Sequence, residues 1–245
     1  MQKYLEELKN KFEIIKNNEF NESLRNGSTG IGYTFESLLG KEEDSSYEPD
    51  FNGIEIKTKL GYSKSPMTLF TLTPKKDHDY AIKYILDNFG YPSKNKIEKN
   101  FRGNVYCNIN NVIANKYILK VKIDKLENKL ILFIYNIHST LINNEIYWDL
   151  DNLEERLYTK LKYLALIKGY KYIKDDKTFY KYTSLNMYKL KGFDTFLKLL
   201  ENDKIFLTFN IGTRVYQDGS CHINDRGTAF RINISCINEL FEKID

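Results

Sequence analysis

The stretch EPDFNGIEIKTK, residues 48 to 59, contains the strongest local constraint on how this chain folds. Asn52-Gly53 lies between short apolar runs, and this dipeptide is typical of a type I′ turn, whose two central residues both need positive φ. The pattern predicts a hairpin in which Phe51 pairs with Ile54 and Asp50 lies across from Glu55. Cross-strand Cβ atoms are about 4.5 to 5.5 Å apart. Two carboxylates at that distance repel each other unless a positive charge lies between them.

Side chains alternate along a strand, so the residues after the turn divide between two faces. Ile54 and Ile56 are expected on a core face, and Glu55 and Lys57 on the other face beside Asp50. Carboxylate oxygens are ligands for hard divalent cations such as Mg²⁺, and a lysine beside such an ion can stabilise developing charge or help to activate water. The alternative is a loop aspartate next to a solvated Glu–Lys pair, and the spacing alone favours that alternative.

Length and composition limit the class of protein. A chain of 245 residues with 42% hydrophobic content can bury a sizeable core without disulfides. Three widely spaced cysteines with no C-x-x-C pair predict neither a disulfide framework nor a zinc ribbon. Without a run of about 18 apolar residues or a secretory signal, we expect a cytoplasmic protein that does not bind membranes. The net charge of +4 permits a nucleic-acid partner only through a local basic patch.

Hydrophobic periodicity predicts an α/β (α+β) chain with a mixed sheet flanked by helices. A glycine-rich turn at 29–32 should precede a helix that carries Glu36 and ends at Gly40. The other predicted helices are 2–17, 80–88, 152–167, 194–202 and 237–244. The predicted strands are 49–51, 54–59, 67–72, 105–109, 117–123, 129–137, 205–215 and 228–235, with a tyrosine-rich hairpin over 170–184.

Several segments together resemble a known family. They are GIGYTFESLLG (30–40), PDF (49–51), GIEIKT (53–58), MTLFT (67–71), GTR (212–214) and His222 with DRGTAFR (225–231). Their order and sequence are similar to those of the MvaI/BcnI-type restriction endonucleases, which are relatives of the repair nicking enzyme MutH in the PD-(D/E)XK nuclease superfamily. The resemblance spans most of the chain. It implies a PD-(D/E)XK fold of two lobes with a DNA-binding cleft, with residues 1–150 mainly catalytic and 151–245 mainly recognising DNA.

The resemblance also implies roles for individual residues. Asp50 and Glu55 would be the metal-binding carboxylates, the backbone carbonyl of Ile56 would complete the coordination, and Lys57 would be the catalytic lysine. Glu36 matches an additional acid that binds the metal or a water on it. The implied reaction is in-line attack of water on a DNA phosphodiester, leaving a 5′-phosphate. The implied cofactor is one or two Mg²⁺ ions, with Mn²⁺ as a substitute and Ca²⁺ binding without cleavage.

Two segments are candidates for DNA contact. In Thr29-Gly30-Ile31-Gly32 the glycines allow backbone amides to approach a phosphate at a helix N-terminus. The segment lacks the ending of a P-loop, and an ordinary tight loop is the alternative. Residues 214 to 231 are rich in side chains that match base edges, although a solvated surface hairpin would have a similar composition. The candidates there are Arg214, His222, Asn224, Asp225, Arg226 and Arg231.

The sequence is therefore interpreted as a type II restriction endonuclease that cuts double-stranded DNA. We expect a monomer that nicks the two strands successively and has a cognate DNA methyltransferase as its genetic partner. The family's adjacent recognition histidine and aspartate are separated here by Ile223-Asn224, which leaves the target sequence open. The alternatives are a MutH-like nickase that needs an activating partner and a DNA-binding protein without cleavage. The presence of all four catalytic candidates argues against the latter.

Overall fold

The computed structural model describes residues 1–41, 47–93, 98–225 and 227–244. The helices are α1 (Gln2–Asn17), α2 (Gly30–Leu38), α3 (Ala81–Phe89), α4 (Leu150–Leu161), α5 (Phe193–Glu201) and α6 (Ile237–Leu240). The strands are β1 (Asn21–Glu22), β2 (Glu55–Leu60), β3 (Met67–Thr71), β4 (Lys75–Lys76), β5 (Tyr91–Pro92), β6 (Lys99–Val105), β7 (Asn111–Ile113), β8 (Tyr117–Asp124), β9 (Lys129–Asn136), β10 (Leu141–Asp149), β11 (Tyr163–Lys174), β12 (Lys177–Leu190), β13 (Ile205–Val215), β14 (Cys221–Asp225), β15 (Ala229–Ile232) and β16 (Phe241–Ile244). The fold is mixed α+β, as the sequence predicts.

The chain forms two compact units that are interleaved in sequence. Unit 1 comprises Met1–Ser65, Leu157–Lys191 and Leu240–Asp245, and unit 2 comprises Pro66–Arg156 and Gly192–Glu239. The units therefore differ from the sequence-based division at residue 150, because the chain returns to each unit after leaving it. No helix among the described residues is long and apolar enough to cross a membrane.

Unit 1 is built on a sheet with the strand order β1-β12-β11-β2, and β16 pairs with β12. β2 runs parallel to β11, with Glu55 opposite Leu164. The long β11–β12 hairpin turns at Asp175-Asp176, both at positive φ, which confirms the predicted tyrosine-rich hairpin. α1 has the predicted bounds, and its four buried side chains join those of α2 and the sheet in one core. The helix that carries Glu36 is thereby packed against β2, the strand that carries Glu55.

Three sequence predictions for unit 1 are wrong. The helix expected over 152–167 ends at Leu161, and the apolar residues that follow form the start of β11. A central strand buried on both faces has a continuous apolar run, which periodicity alone cannot distinguish from a buried helix. The closing helix also stops at Leu240, and β16 pairs with β12 as a strand. Residues 49–51 form no strand beyond an isolated bridge between Phe51 and Ile54.

Unit 2 contains two sheets. One has the order β3-β15-β13-β6-β5, with β14 paired to β13, and the other has the order β4-β10-β9-β8-β7. β8 and β9 form the hairpin predicted across Asp124 to Asn128. Aromatic side chains fill the core: the ring centroids of Phe70 and Phe230 are 5.0 Å apart, and Trp148 donates its indole N–H to the Leu72 carbonyl at 2.9 Å. The sheet that carries β13 and β14 therefore has a rigid base.

Tyr182 provides a test of how α2 is held on the sheet of unit 1. Its ring is fully buried and edge-on to Phe35, and its hydroxyl donates to the Ile31 carbonyl at 2.9 Å. Tyr182→Phe should lower the free energy of unfolding by about 1 to 2 kcal/mol, because a buried hydrogen bond is lost while the packing is kept. Urea denaturation measures this, with Tyr62→Phe as a control because Tyr62 is 66% exposed. Equal losses for the two variants would contradict the assignment.

Candidate active site and DNA-recognition segment

The predicted hairpin at Asn52-Gly53 is present in unit 1. Asn52 has φ 45° and Gly53 has φ 86°. Phe51 and Ile54 exchange two backbone hydrogen bonds, 2.9 Å from the Phe51 nitrogen to the Ile54 oxygen and 2.8 Å in the other direction. The ladder does not continue to Asp50. Instead, Oδ2 of Asp50 accepts a hydrogen bond of 2.9 Å from the backbone N–H of Ile56, which fixes the carboxylate at the start of β2.

Glu55 and Lys57 lie together on β2, as strand alternation predicts. Oε1 of Glu55 is 2.6 Å from Nζ of Lys57. Glu55 is only 3% exposed, and burying a carboxylate is costly unless it is paired and hydrogen-bonded. Ile54 and Ile56 are buried in the core cluster of unit 1. The expected division of the strand into a core face and a charged face is confirmed.

Two further lysines complete the set of cations around the acid pair. Nζ of Lys41 is 3.0 Å from Oδ1 of Asp50, and Nζ of Lys160 is 3.2 Å from Oε2 of Glu55. Sequence reasoning missed both residues, because Lys41 follows α2 and Lys160 lies 105 positions after Glu55. The sequence indicated only that two neighbouring carboxylates require positive charge, without showing which residues would supply it.

Glu36 on α2 belongs to the same electrostatic environment. Burial and, to a smaller extent, the charge of Asp50 raise the pKa of its carboxyl, Lys57 and Lys41 lower it, and the net pKa is about 7. Glu36 and Lys57 line one cavity of about 350 Å³. The three acids and the lysine that are predicted to carry chemistry, Glu36, Asp50, Glu55 and Lys57, are thus brought together in unit 1.

The glycine segment borders that cavity but is not a turn before the helix. α2 begins at Gly30, so Gly32 lies within its first turn. Thr29 is exposed and lines the cavity with Gly32, and the Arg25 guanidinium stacks 3.9 Å above the Tyr33 ring at the same place. Gly30 is buried, and an added Cβ would lie 2.4 Å from the Arg25 carbonyl oxygen. Close packing of the chain is sufficient to require glycine there.

The carboxylates of Asp50 and Glu55 are the candidate ligands for a divalent cation. No group of three or more His, Cys, Asp and Glu side chains in the described part of the chain is arranged to hold a metal ion. Asp50 and Glu55, however, place carboxylate oxygens beside the Ile56 backbone. Three of these oxygens accept hydrogen bonds from ammonium groups, which shows that they face positively charged partners. Mg²⁺ is commonly held by one or two carboxylates with substrate phosphate oxygens and water. The residues present fit such an ion.

The recognition candidates lie in unit 2, mainly on the hairpin of β13 and β14. Arg214 faces His222 across the ladder, and both are exposed. The His222 ring is edge-on to Tyr216 at 5.2 Å, and its Nε2 is 3.2 Å from Oγ of Ser220. The Arg214 guanidinium lies 5.7 Å from the centroid of the Tyr216 ring. This exposed cluster combines charge, aromatic surface and hydrogen-bonding groups.

The remaining candidates lie in different surroundings. The backbone of Asn224 pairs with Gly212, and Arg226 lies outside the described residues. Asp225 is half-buried and accepts the Gly227 N–H at 2.9 Å, and burial raises its pKa. Arg231 is on β15, where its guanidinium donates to the Pro66 carbonyl at 2.9 Å. The structure brings Arg214 and His222 together and places Arg231 on another strand.

The family model of the MvaI/BcnI restriction endonuclease family matches residues 9–241. The chain belongs to this family. Among solved structures, the complex of restriction endonuclease MvaI with its cognate DNA substrate is similar, with a TM-score of 0.91 and 33% identity over 100% of this chain and 98% of that chain. MvaI without DNA gives a TM-score of 0.65 and 32% identity over the same shares of the two chains. A comparison with curated proteins gives no match.

Membership confirms the resemblance predicted from the sequence, and it confirms the enzyme class. The protein is a type II site-specific deoxyribonuclease of the MvaI/BcnI family. Restriction endonucleases generally depend on a divalent metal, which agrees with the chemistry of the acid pair.

The tight turn between the two acids can be tested at Gly53. Gly53→Val should lower the free energy of unfolding by about 1 to 2 kcal/mol, because a β-branched side chain is strained at positive φ. Asn52→Gly is the matched control, since glycine adopts the same φ freely, and its effect should stay within about 0.5 kcal/mol. Urea denaturation of both variants measures the difference. A Gly53→Val variant as stable as the Asn52→Gly variant would show that the turn is not formed.

Proposed function

We propose that this enzyme hydrolyses both strands of a short, specific double-stranded DNA site, with Mg²⁺ as its cofactor, as a monomer that nicks one strand after the other and leaves 5′-phosphates. The observation that carries the proposal is the convergence of Asp50, Glu55 and Lys57 in one hydrogen-bonded cluster beside Glu36. Among the described residues we find one such site, and one site per chain makes successive nicking the simplest route to a double-strand break.

In the proposed site, the carboxylates of Asp50 and Glu55 and the backbone carbonyl of Ile56 hold the metal, and Glu36 supplies an additional carboxylate. When bound, the ion supplies Lewis-acid stabilisation of the phosphate and makes water a better nucleophile. The hydrogen bond from Ile56 N–H fixes the Asp50 carboxylate, so its orientation needs no rearrangement. Preorganised charge of this kind is a main source of rate enhancement.

Lys57 acts directly on the reacting phosphate in this proposal. Its ammonium is held 2.6 Å from the buried Glu55 carboxylate and lines the cavity that Glu36 shares. A positive charge fixed at that point stabilises the negative charge that develops on the phosphoryl oxygens as water attacks. The same contact with Glu55 keeps the lysine in place before DNA arrives.

DNA recognition is assigned to two groups of residues. Thr29 and Gly30 are proposed to place backbone and hydroxyl groups against a phosphate near the cleavage site. Base reading is proposed for Arg214 and His222 on the β13–β14 hairpin, together with Asn224, Asp225 and Arg226. Arg231 on β15 is proposed as a further DNA contact, and its guanidinium is bonded to the Pro66 carbonyl. The similarity to an MvaI structure with cognate DNA supports this assignment.

The proposed function also includes a choice of metal ion, a cellular location and a genetic partner. We infer that Mn²⁺ replaces Mg²⁺ and that Ca²⁺ supports DNA binding without cleavage. The protein would act in the cytoplasm, where a cognate methyltransferase protects the host's own sites. Because the family match is to restriction endonucleases and all four catalytic candidates are present, restriction is favoured over a repair nickase or a silent DNA-binding protein.

Cleavage of unmethylated DNA is the direct test. Purified protein with methylation-free plasmid and phage DNA in Mg²⁺ should give discrete fragments whose sequenced ends share one motif, and EDTA should abolish them. Lys57→Ala should keep DNA binding and lose most turnover, because the charge that stabilises the transition state is removed. A nicked circle that precedes linear DNA in the time course would support successive nicking. Full single-turnover cleavage by Lys57→Ala would rule out its catalytic role.

Arg214 can be tested as a base-reading residue. If it contacts a base edge, Arg214→Ala should weaken binding to the cognate site by about 1 to 3 kcal/mol and leave binding to unrelated DNA little changed. Fluorescence anisotropy in Ca²⁺ measures both affinities at fixed salt. Lys125→Ala is the control for the loss of one exposed positive charge in unit 2. An equal loss on all sequences would make Arg214 a phosphate contact.

A further inference from the structure

Lys160 makes two contacts that no sequence motif indicates. Its ammonium donates to the backbone oxygen of Glu48 at 2.7 Å and to Oε2 of Glu55 at 3.2 Å. The lysine side chain is only 16% exposed. An ammonium with so little access to water depends on these oxygens for compensation.

The two contacts join the two segments that carry the metal-binding acids. Glu48 lies two residues before Asp50, and Glu55 begins β2 on the other side of the Asn52-Gly53 turn. One cation bonded to both segments restrains the distance between them. The hairpin backbone has one bridged pair, Phe51 with Ile54, and the Ile56 N–H donates to Asp50 across the turn, so Lys160 adds a further link between the two segments.

The helix that carries Lys160 is well placed to act as an anchor. Leu157 and Leu161, three positions before and one after Lys160, are both completely buried. The backbone beneath the lysine is therefore held by two buried side chains of the same helix turn. The flexible part of the brace is limited to the lysine side chain.

We propose that Lys160 is a positioning residue of the active site, whose ammonium braces the acid-bearing segments and sets the orientation of the Glu55 carboxylate. This rests on the proposed function, because it takes Glu55 as a metal ligand. Lys57 does not have this positioning role. It occupies the other oxygen of Glu55 from the same strand, so it cannot restrain a second segment.

The effect of Lys160 on metal affinity distinguishes a positioning role from simple neutralisation of the acids. A partner that orients a ligating carboxylate typically contributes about 10- to 100-fold to metal affinity or activity. A lysine that merely neutralised the acids would instead oppose a divalent cation, and its removal would tighten metal binding. The sign of the change therefore decides between the two roles.

The experiment compares the full-length wild type with Lys160→Met, Lys160→Arg and Lys162→Met. Methionine keeps an apolar stem without the donors, and arginine restores donors and charge. Lys162 is an exposed neighbour whose side chain has no role in the proposed site, which makes it the matched control. Mn²⁺ affinity is measured by electron paramagnetic resonance of the free ion, and the Ile54 and Ile56 amides are followed by hydrogen exchange.

Lys160→Met should bind Mn²⁺ about tenfold or more weakly, and its Ile54 and Ile56 amides should exchange faster. Lys160→Arg should recover part of the Mn²⁺ affinity and part of the protection from exchange, and Lys162→Met should match the wild type. In cleavage assays, kcat of Lys160→Met should fall while KM for DNA stays unchanged. Unchanged or tighter Mn²⁺ binding by Lys160→Met, or unchanged exchange, would overturn the brace.

The exchange measurement separates this inference from the proposed function. If the wild type binds no Mn²⁺ or cuts no DNA, the proposed function fails, and the exchange of Ile54 and Ile56 alone decides whether Lys160 restrains the hairpin. If the wild type cleaves DNA and Lys160→Met matches it in exchange and Mn²⁺ affinity, the function stands and the brace does not.

Discussion

The compensation of the negative charges of Asp50 and Glu55 is the constraint on which the proposed active site depends. A tight turn brings both acids to one place, and Glu55 is almost completely buried there. Burial of two like charges is costly unless each is paired and hydrogen-bonded. The fold meets this requirement with ammonium groups from three elements: the end of α2, β2 itself and the last turn of α4. For Glu36, burial and the charge of Asp50 outweigh the effect of Lys57 and Lys41, so its pKa is raised to about 7.

The arrival of Lys160 at Glu55 follows from the register of the sheet. β11 pairs in parallel with β2 so that Leu164 lies opposite Glu55, and α4 ends three residues earlier at Leu161. The short connection leaves Lys160 beside the start of β2. A register shift of one residue would turn the side chains of β2 to the opposite face. The same pairing that builds the core of unit 1 therefore also sets the charge balance of the acid pair.

The elements that the sequence predicted correctly are those fixed by local interactions. The Asn52-Gly53 turn requires positive φ, and α1 follows from its own periodicity, so both could be read from neighbouring residues. The strand that starts at Tyr163 and the strand at Phe241–Ile244 could not, because each is set by partners distant in sequence. The same holds for Lys41 and Lys160, whose importance depends on the folded position of the acids. The interleaving of the two units could not be predicted for the same reason, because it depends on contacts between segments that are distant in sequence.

On the proposed recognition hairpin, His222 and Asp225 are separated by two residues, whereas the family resemblance leads us to expect an adjacent histidine and aspartate. Strand alternation means that inserting two residues keeps each flanking side chain on its original face. Separation of His222 from Asp225 by Ile223-Asn224 therefore preserves the faces that an adjacent pair would have. It moves the two residues farther apart by about 6.8 Å along β14, which is close to two base-pair steps of a DNA strand. Within one ladder, the chain thus presents His222 and Asp225 at a wider spacing, and the proposed base reading would depend on that spacing.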